Sequence, residues 1–201
     1  MPILIASHNQ AKLDELTMIL AKGGINASAA PAVASLPPEG TSSYLANARV
    51  KAITLSRYLS NQYVLADDSG LTLLACPGHL GVQTARELAK RGGDRLQTVL
   101  KMVDGADRTF IMDSWVSLAK NGQELVHGHG QLTGQIAFNP LGKDGRGFDR
   151  LLIPAGQTKP LALMDTATWL KFAHRARAVE NLLKQAKEKG IEDLFENPIV
   201  G

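Results

Sequence analysis

Two adjacent acids, Asp67 and Asp68, directly follow the apolar segment YVLA at residues 63–66. We predict a short strand there, and α/β sheets place ligands beyond the carboxyl ends of their strands. Neighbouring carboxylates repel each other unless a cation or a proton lies between them. Glu39, in a loop rich in proline and glycine, could add another oxygen, and such oxygens together with phosphate oxygens suit Mg²⁺. The alternative is an ordinary turn, since Asp-Ser-Gly is common in turns.

A second polar segment, SHNQAK at residues 7–12, separates an apolar run from a helical pattern. Ser7 or Asn9 could cap the helix, with Lys12 as a solvated charge of its first turn. Alternatively, the helix N-terminus, these side chains and the Lys12 ammonium could together bind an anion. The segment carries no glycine, so it differs from the usual nucleotide-binding P-loop.

Two later segments carry groups that suit a flat ring. In GRGFD, at residues 145–149, Phe148 could be a core anchor or could stack on a base, because glycines let the backbone approach a ligand closely. In AHR, at residues 173–175, His174 and Arg175 could be surface charges. They could instead donate hydrogen bonds to a carbonyl-bearing ring or to phosphate.

The elements that must position these residues are predicted from apolar periodicity and turn signals. We expect strands at residues 2–6 and 63–66, two long strands around the turn at Asn121-Gly122, and a short strand at 151–154. We expect helices at 11–21, 44–59, near 84–90, at 94–103 and at about 175–187. Loops are expected at 31–43 and 139–150. Helices alternating with strands indicate the α/β class with a mixed sheet.

Composition limits the classes of protein that fit. The chain has 201 residues, 44% of them hydrophobic, which is ordinary for one sizeable globular domain or two lobes sharing a core. Its net charge of +3, without a basic tract, suits a small anionic ligand rather than nucleic acid. Cys76 is the only cysteine, which excludes intramolecular disulfides and cysteine-rich metal sites. No apolar run is long enough to span a bilayer, so we expect a soluble cytoplasmic protein without membrane association.

In their order along the chain, the polar segments resemble the inosine triphosphate pyrophosphatase family. The matching segments are ASHNQAK, PPEG with NARVKA, ADDSGL, GHLGVQTAR, PLGKDGRGFD and AHR. The resemblance covers about residues 3–183, and ADDSGL with the N-terminal Asn/Lys segment is its most specific part. It implies an elongated mixed sheet with flanking helices, and two lobes around a central cleft within one domain over residues 1–201. It also implies a homodimer that requires Mg²⁺ and cleaves ITP, dITP and XTP to monophosphate and pyrophosphate.

The same resemblance implies roles for particular residues. Glu39 and Asp68 would bind the metal, and Asp68 would also be the base for the attacking water. Asp67 beside it and Lys12 would complete the catalytic group. The substrate contacts that the resemblance implies are Ser7, Asn9 and Lys12 for the phosphates, Ser69, Phe148 and Asp149, Lys171, and the pair His174 and Arg175 at the six-position oxygen of a purine.

The chain departs from the family pattern in the segments that would hold the base. Arg146 replaces the first aromatic of Gly-Phe-Gly-Tyr/Trp-Asp-Pro, and Arg150 replaces its proline. Trp169 stands where a lysine is usual, and Lys171 lies two positions later. Either Trp169 packs in the core while Lys171 reaches the phosphates, or the lysine contact is missing. The remaining departures are Ala46 for an acid, Leu163 for a glutamate and Ala173 for a serine.

These departures leave two alternatives to a hydrolase of non-canonical purine triphosphates. One is a nucleotide-binding protein that has lost catalysis. The other is an active hydrolase with a shifted base preference, for example for a modified pyrimidine. Pyrophosphate release from a panel of triphosphates distinguishes all three.

Overall fold

The computed structural model describes residues 2–32, 35–143 and 145–195. Within these ranges the chain forms six strands and six α-helices. The strands are β1 (Ile3–Ile5), β2 (Ala27–Ala29), β3 (Val64–Leu73), β4 (Thr109–Lys120), β5 (Gln123–Ile136) and β6 (Leu152–Pro154). The helices are α1 (Gln10–Lys22), α2 (Tyr44–Ser56), α3 (Thr84–Arg91), α4 (Arg95–Met102), α5 (Thr166–Phe172) and α6 (His174–Glu188). Short 3₁₀ helices lie at Gly81–Gln83, Leu161–Leu163 and Glu192–Leu194.

The strands form one sheet in the order β2-β1-β3-β4-β5-β6. β1 is parallel to both β2 and β3, whereas β5 and β6 are antiparallel. The two long strands β4 and β5 are joined by Asn121 and Gly122, whose φ angles of 51° and 80° are typical of a tight hairpin turn. The predicted mixed α/β class and the predicted hairpin are therefore confirmed.

The chain divides into two compact units, and unit 1 comprises residues 1–68, 114–130 and 175–201. Its core includes apolar side chains of β1 and the residue after it, and of α2, β3 and β4, namely Leu4, Ala6, Ala52, Leu55, Val64, Ala66 and Ala119. α6 lies so close to β5 that a Cβ atom at Gly128 would collide with the backbone of Ala178 and Leu182. Unit 1 thus packs helices directly against strands, which fixes the side chains that these elements carry.

Unit 2 comprises residues 69–113 and 131–174. Its buried apolar side chains include Leu71, Leu73, Leu88, Val99, Phe110, Leu132, Leu151 and Leu161. A Cβ atom at Gly134 would collide with Ile153, so this glycine allows β5 and β6 to pair closely. Unit 2 therefore has a hydrophobic core of its own.

The structure corrects the prediction at Asp67 and Asp68. The strand was expected to end at residue 66, with a turn as the alternative, but β3 continues to Leu73 and contains both acids. A strand buried along almost its whole length tolerates carboxylates only where cations or donors compensate them. Those partners are distant in sequence, which is why the local pattern predicted an end there.

Other differences are smaller. The three-residue β2 and the seven-residue α5 were not predicted, because elements this short carry little periodicity. The predicted loops at 31–43 and 139–150 include residues 33, 34 and 144, which lie outside the described ranges. Among the described residues, no helix has the length and apolarity needed to cross a bilayer.

Candidate active site

Asp67 lies at the centre of a buried ionic network in unit 1. Its side chain is 1% exposed, and its Oδ2 lies 3.1 Å from Lys12 Nζ. Arg175 Nε donates a hydrogen bond of 3.0 Å to the same oxygen. Burial acts to raise the pKa of Asp67, but the charges of Lys12, Arg175 and Lys51 lower it well below its usual range. Asp67 is therefore a permanent anion that orients two cations.

Arg175 connects this anion to a second buried carboxylate. Its Nη1 donates to Glu15 Oε2 at 2.7 Å, and Glu15 is 3% exposed on the inner face of α1. Burial acts to lower the pKa of Arg175, but Glu15 and Asp67 raise it above its ordinary value. Because a buried charge is tolerated only when it is paired, Lys12, Asp67, Arg175 and Glu15 hold one another in place.

Asp68, the next residue of β3, has a different environment. Asn47 Nδ2 donates to Asp68 Oδ2 at 2.8 Å, and the Asn47 amide also bonds the backbone N–H and C=O of Gly40. Burial raises the pKa of Asp68, and this outweighs the lowering by the Asn47 hydrogen bond and by Lys51. A carboxylate with a raised pKa is a better proton acceptor, so Asp68 is the basic member of the pair.

Lys51 holds the loop that carries Glu39. Its buried ammonium donates to Glu39 Oε1 at 2.7 Å and to the backbone oxygen of Asp67 at 2.6 Å. Sequence reasoning did not select Asn47, Lys51 or Glu15 for the site. The available signal was a polar side chain on a helix face that is otherwise apolar, since Asn47 and Lys51 are buried on α2 beside Ala48, Ala52 and Leu55.

The beginning of α1 confirms the capping explanation of the SHNQAK segment. Asn9 is the N-cap, and its side-chain oxygen accepts a hydrogen bond from the backbone N–H of Lys12. Ser7 Oγ accepts from the backbone N–H of Asn9 at 3.2 Å. The Lys12 side chain, 20% exposed, lies at the border of the ionic network. Anion binding at this helix end stays a prediction.

Unit 2 contains a cavity of about 530 Å³. Its lining residues are Lys143, Gly145, Arg146, Asp149, Leu161, Ala162, Met164, Thr166 and Trp169. Trp169 Nε1 donates to Asp149 Oδ2 at 2.9 Å, and both side chains are buried. The expectation that Trp169 packs in the interior is thus confirmed.

The other predicted residues of unit 2 do not line this cavity. Ser69 and Phe148 are half-buried, Lys171 is exposed on α5, and His174 is buried at the start of α6. Arg175 was predicted together with His174 to recognise a purine oxygen, but in unit 1 it bonds Asp67 and Glu15. The substrate contacts of these residues stay predictions.

Comparison with known proteins identifies the family of this chain. A model of the Ham1 family matches residues 3–185. The chain belongs to the Ham1 family. It is 45% identical over 190 residues to the dihydroneopterin triphosphate diphosphatase of Limosilactobacillus reuteri, covering 92% of this chain and 97% of the relative. It is 32% identical over 182 residues to the dITP/XTP pyrophosphatase of Gloeobacter violaceus, covering 90% and 92% of the two chains.

Solved structures agree with this membership. The HAM1 protein from Coxiella burnetii matches with a TM-score of 0.75 at 29% identity, covering 94% of this chain and 99% of that one. The predicted family and the predicted fold class of this Ham1 protein are therefore confirmed.

Glu39 and Asp68 supply oxygen donors that fit Mg²⁺ in this Ham1 protein. Mg²⁺ usually binds through one or two carboxylates, together with water and substrate phosphate oxygens. Burial is the largest cause of the raised pKa of Asp68, and the negative charge of Glu39 raises it as well. The two carboxylates therefore interact. The described residues contain no group of three His, Cys, Asp or Glu side chains placed around a metal ion.

Proposed function

We propose that this Ham1 protein hydrolyses nucleoside triphosphates to the monophosphate and pyrophosphate. The observation that carries the proposal is the division of roles between adjacent carboxylates: Asp67 is locked by two cations, whereas Asp68 has a raised pKa. Relatives named dITP/XTP pyrophosphatase support the same reaction class.

In this proposal, Asp68 orients a water molecule and takes its proton as the water oxygen attacks the α-phosphorus. The bond from that phosphorus to the bridging oxygen breaks, and pyrophosphate leaves. Lys12 contacts the phosphates, with Ser7, Asn9 and the N-terminus of α1 beside it. Glu39 and Asp68 would hold Mg²⁺, which would supply positive charge that offsets the charge of the phosphate oxygens. Asp67 and Arg175 keep Lys12 in position.

For the substrate, one candidate is dITP or XTP, with ITP, as for the relatives of that name. A second candidate is dihydroneopterin triphosphate, which the name of the 45% identical relative specifies. The departures at Arg146 and Trp169 favour this shifted preference, because both side chains line the cavity of unit 2.

The oligomeric state and the cellular location belong to the same proposal. A homodimer follows from the family resemblance, and light scattering of the purified chain would measure it. A cytoplasmic location fits the nucleotide substrate and the single cysteine, because a reducing compartment disfavours disulfides.

The deciding experiment is hydrolysis of ITP, XTP and dihydroneopterin triphosphate in water enriched in ¹⁸O, with Mg²⁺ or with EDTA. Attack at the α-phosphorus places the label in the monophosphate and releases unlabelled pyrophosphate. EDTA should stop the reaction. Diphosphate with orthophosphate as products, or label in the pyrophosphate, would refute this reaction class. Binding without turnover of any of the three would support a nucleotide-binding protein that has lost catalysis.

A further inference from the structure

The cavity of unit 2 combines an anion, two cations and apolar walls. Asp149 supplies the carboxylate, and Lys143 and Arg146 supply the cations. Leu161, Ala162 and Met164 add apolar surface. Its volume of about 530 Å³ is in the usual range of small-molecule sites and exceeds that of a bicyclic heterocycle. Such a lining suits a planar ring with polar edges.

Trp169 orients the carboxylate of Asp149 through a neutral hydrogen-bond donor. The indole N–H and the backbone N–H of Arg146 both donate to Asp149 Oδ2, at 2.9 Å and 3.3 Å. An indole has one neutral donor and no charge, whereas a lysine at this position would form an ion pair. The two hydrogen bonds therefore fix the plane of the carboxylate, as an acceptor of ligand N–H groups requires.

Arg146 contributes a flat cationic surface to the same cavity. Its guanidinium carbon lies 5.1 Å from the centroid of the Trp169 ring. Guanidinium planes stack on nucleobases and related rings as aromatic side chains do. Arg146 and Trp169 thus contact each other at the wall of the cavity.

We propose that this cavity selects a 2-amino-4-oxo ring, the edge shared by guanine and pterin, and that Trp169 is the positioning residue for this choice. The inference rests on the proposed function, since it names the ring that the substrate carries. A 2-amino-4-oxo ring presents an amino group and a ring N–H side by side, which match the two oxygens of Asp149. Hypoxanthine presents only one of these donors, and xanthine places a carbonyl oxygen against the carboxylate. Arg146 stacks on the ring face.

Calorimetric binding of monophosphates tests the inference independently of hydrolysis. The probes are dihydroneopterin monophosphate, GMP, IMP and XMP, titrated into the wild-type protein. We expect either dihydroneopterin monophosphate or GMP to bind at least about tenfold more tightly than IMP, because an unmade buried hydrogen bond costs about a factor of ten in affinity. XMP should bind most weakly. The first two probes distinguish a pterin from a guanine source. Equal or tighter binding of IMP would overturn the proposal.

Variants then assign the preference to its residues. Trp169→Phe keeps a ring but removes the donor, so it should reduce the preference over IMP by about tenfold. Trp115→Phe is the matched control, because that indole stacks on His129 in unit 1, and it should leave the preference unchanged. Arg146→Gln, at an exposed position, should lower the affinity for all four probes by a similar factor. An unchanged preference in a folded Trp169→Phe variant would refute the role of Trp169, and Arg146→Gln with wild-type affinities would refute the stacking role.

The two proposals fail separately. Pyrophosphate release without any preference among the monophosphates would refute this inference and leave the proposed function standing. The expected preference without pyrophosphate release would support the inference and contradict the proposed function.

Discussion

Asp67 and Asp68 are adjacent in β3, yet their carboxylates have opposite partners. Asp67 Oδ2 is shared by the cations Lys12 and Arg175, whereas Asp68 Oδ2 accepts from the neutral amide of Asn47. The pKa of Asp67 is consequently lowered and that of Asp68 is raised, with burial as the main cause of the increase. Successive residues of a strand point to opposite faces, so one strand can present one group for structure and another for proton transfer.

Asp68→Asn should nearly abolish turnover while retaining the fold. The amide keeps the shape of the side chain but cannot accept the proton of water, and loss of a general base costs about 10²–10⁴-fold in rate. Pyrophosphate release at saturating substrate measures the effect, and Asp104→Asn, at an exposed position, is the control. More than about a tenth of the wild-type rate, which is less than about 1.4 kcal/mol of barrier, would contradict the assignment.

The stability of the metal-free protein should depend on the protonation of Asp68. Because the folded pKa of Asp68 is raised above its ordinary 3.8, the folded state binds a proton that the unfolded chain releases. This contribution to stability is present below the unfolded pKa and is lost as the pH rises through the folded pKa. Urea unfolding in EDTA should show wild type losing stability relative to Asp68→Asn as the pH rises above about 4. A stability difference that does not change with pH would show that the pKa of Asp68 is not perturbed.

Glu15→Gln should destabilise the protein even though no role was predicted for Glu15. The substitution removes one of the two carboxylates that compensate the buried Arg175. Losing a partner of a buried ion pair costs about 3 kcal/mol. Urea unfolding measures the loss, and Asp14→Asn, the exposed neighbour on α1, is the control. A Glu15→Gln variant within about 0.5 kcal/mol of wild type would mean that Asp67 alone suffices for Arg175.

Glu39→Gln should weaken the binding of Mg²⁺ without slowing the chemical step. The amide lacks the charge that suits Mg²⁺, so half-maximal activity should require at least about tenfold more Mg²⁺, with turnover recovering at saturation. Activity measured across a Mg²⁺ titration gives both quantities, and Glu188→Gln, at an exposed position, is the control. An unchanged Mg²⁺ dependence would remove Glu39 from the proposed metal site.

The sequence was informative where its signal is local. The periodicity of α1 and the turn at Asn121-Gly122 predicted elements that the structure contains. The continuation of β3 through Asp67 was not predicted, because a buried carboxylate in a strand requires compensating cations. Here these are Lys12 and Arg175, which lie 55 residues before and 108 residues after Asp67. The pairing of Arg175 with Asp67 and Glu15 was missed for the same reason, because a motif names the residue but not its partners. Its contact with a base stays a prediction.

Lys171→Ala tests whether the lysine lost at position 169 is replaced two positions later. Lys171 is exposed on α5, and a lysine bond to a charged phosphate oxygen contributes about 1.5–3 kcal/mol. The variant should therefore raise KM for the triphosphate at least about tenfold. Affinity for the monophosphate should not change, because that product lacks the outer phosphates. Lys159→Ala, at an exposed position of unit 2, is the control.

Trp169→Lys completes this test from the other position. Because Trp169 Nε1 donates to Asp149, we expect a lysine there to pair with that carboxylate rather than with phosphate, so kcat/KM should not rise. If Lys171→Ala has no effect and Trp169→Lys raises kcat/KM, the phosphate contact is missing from the natural chain. If neither change has an effect, a lysine contact plays no part in binding the triphosphate, and the role carried over from the family is wrong.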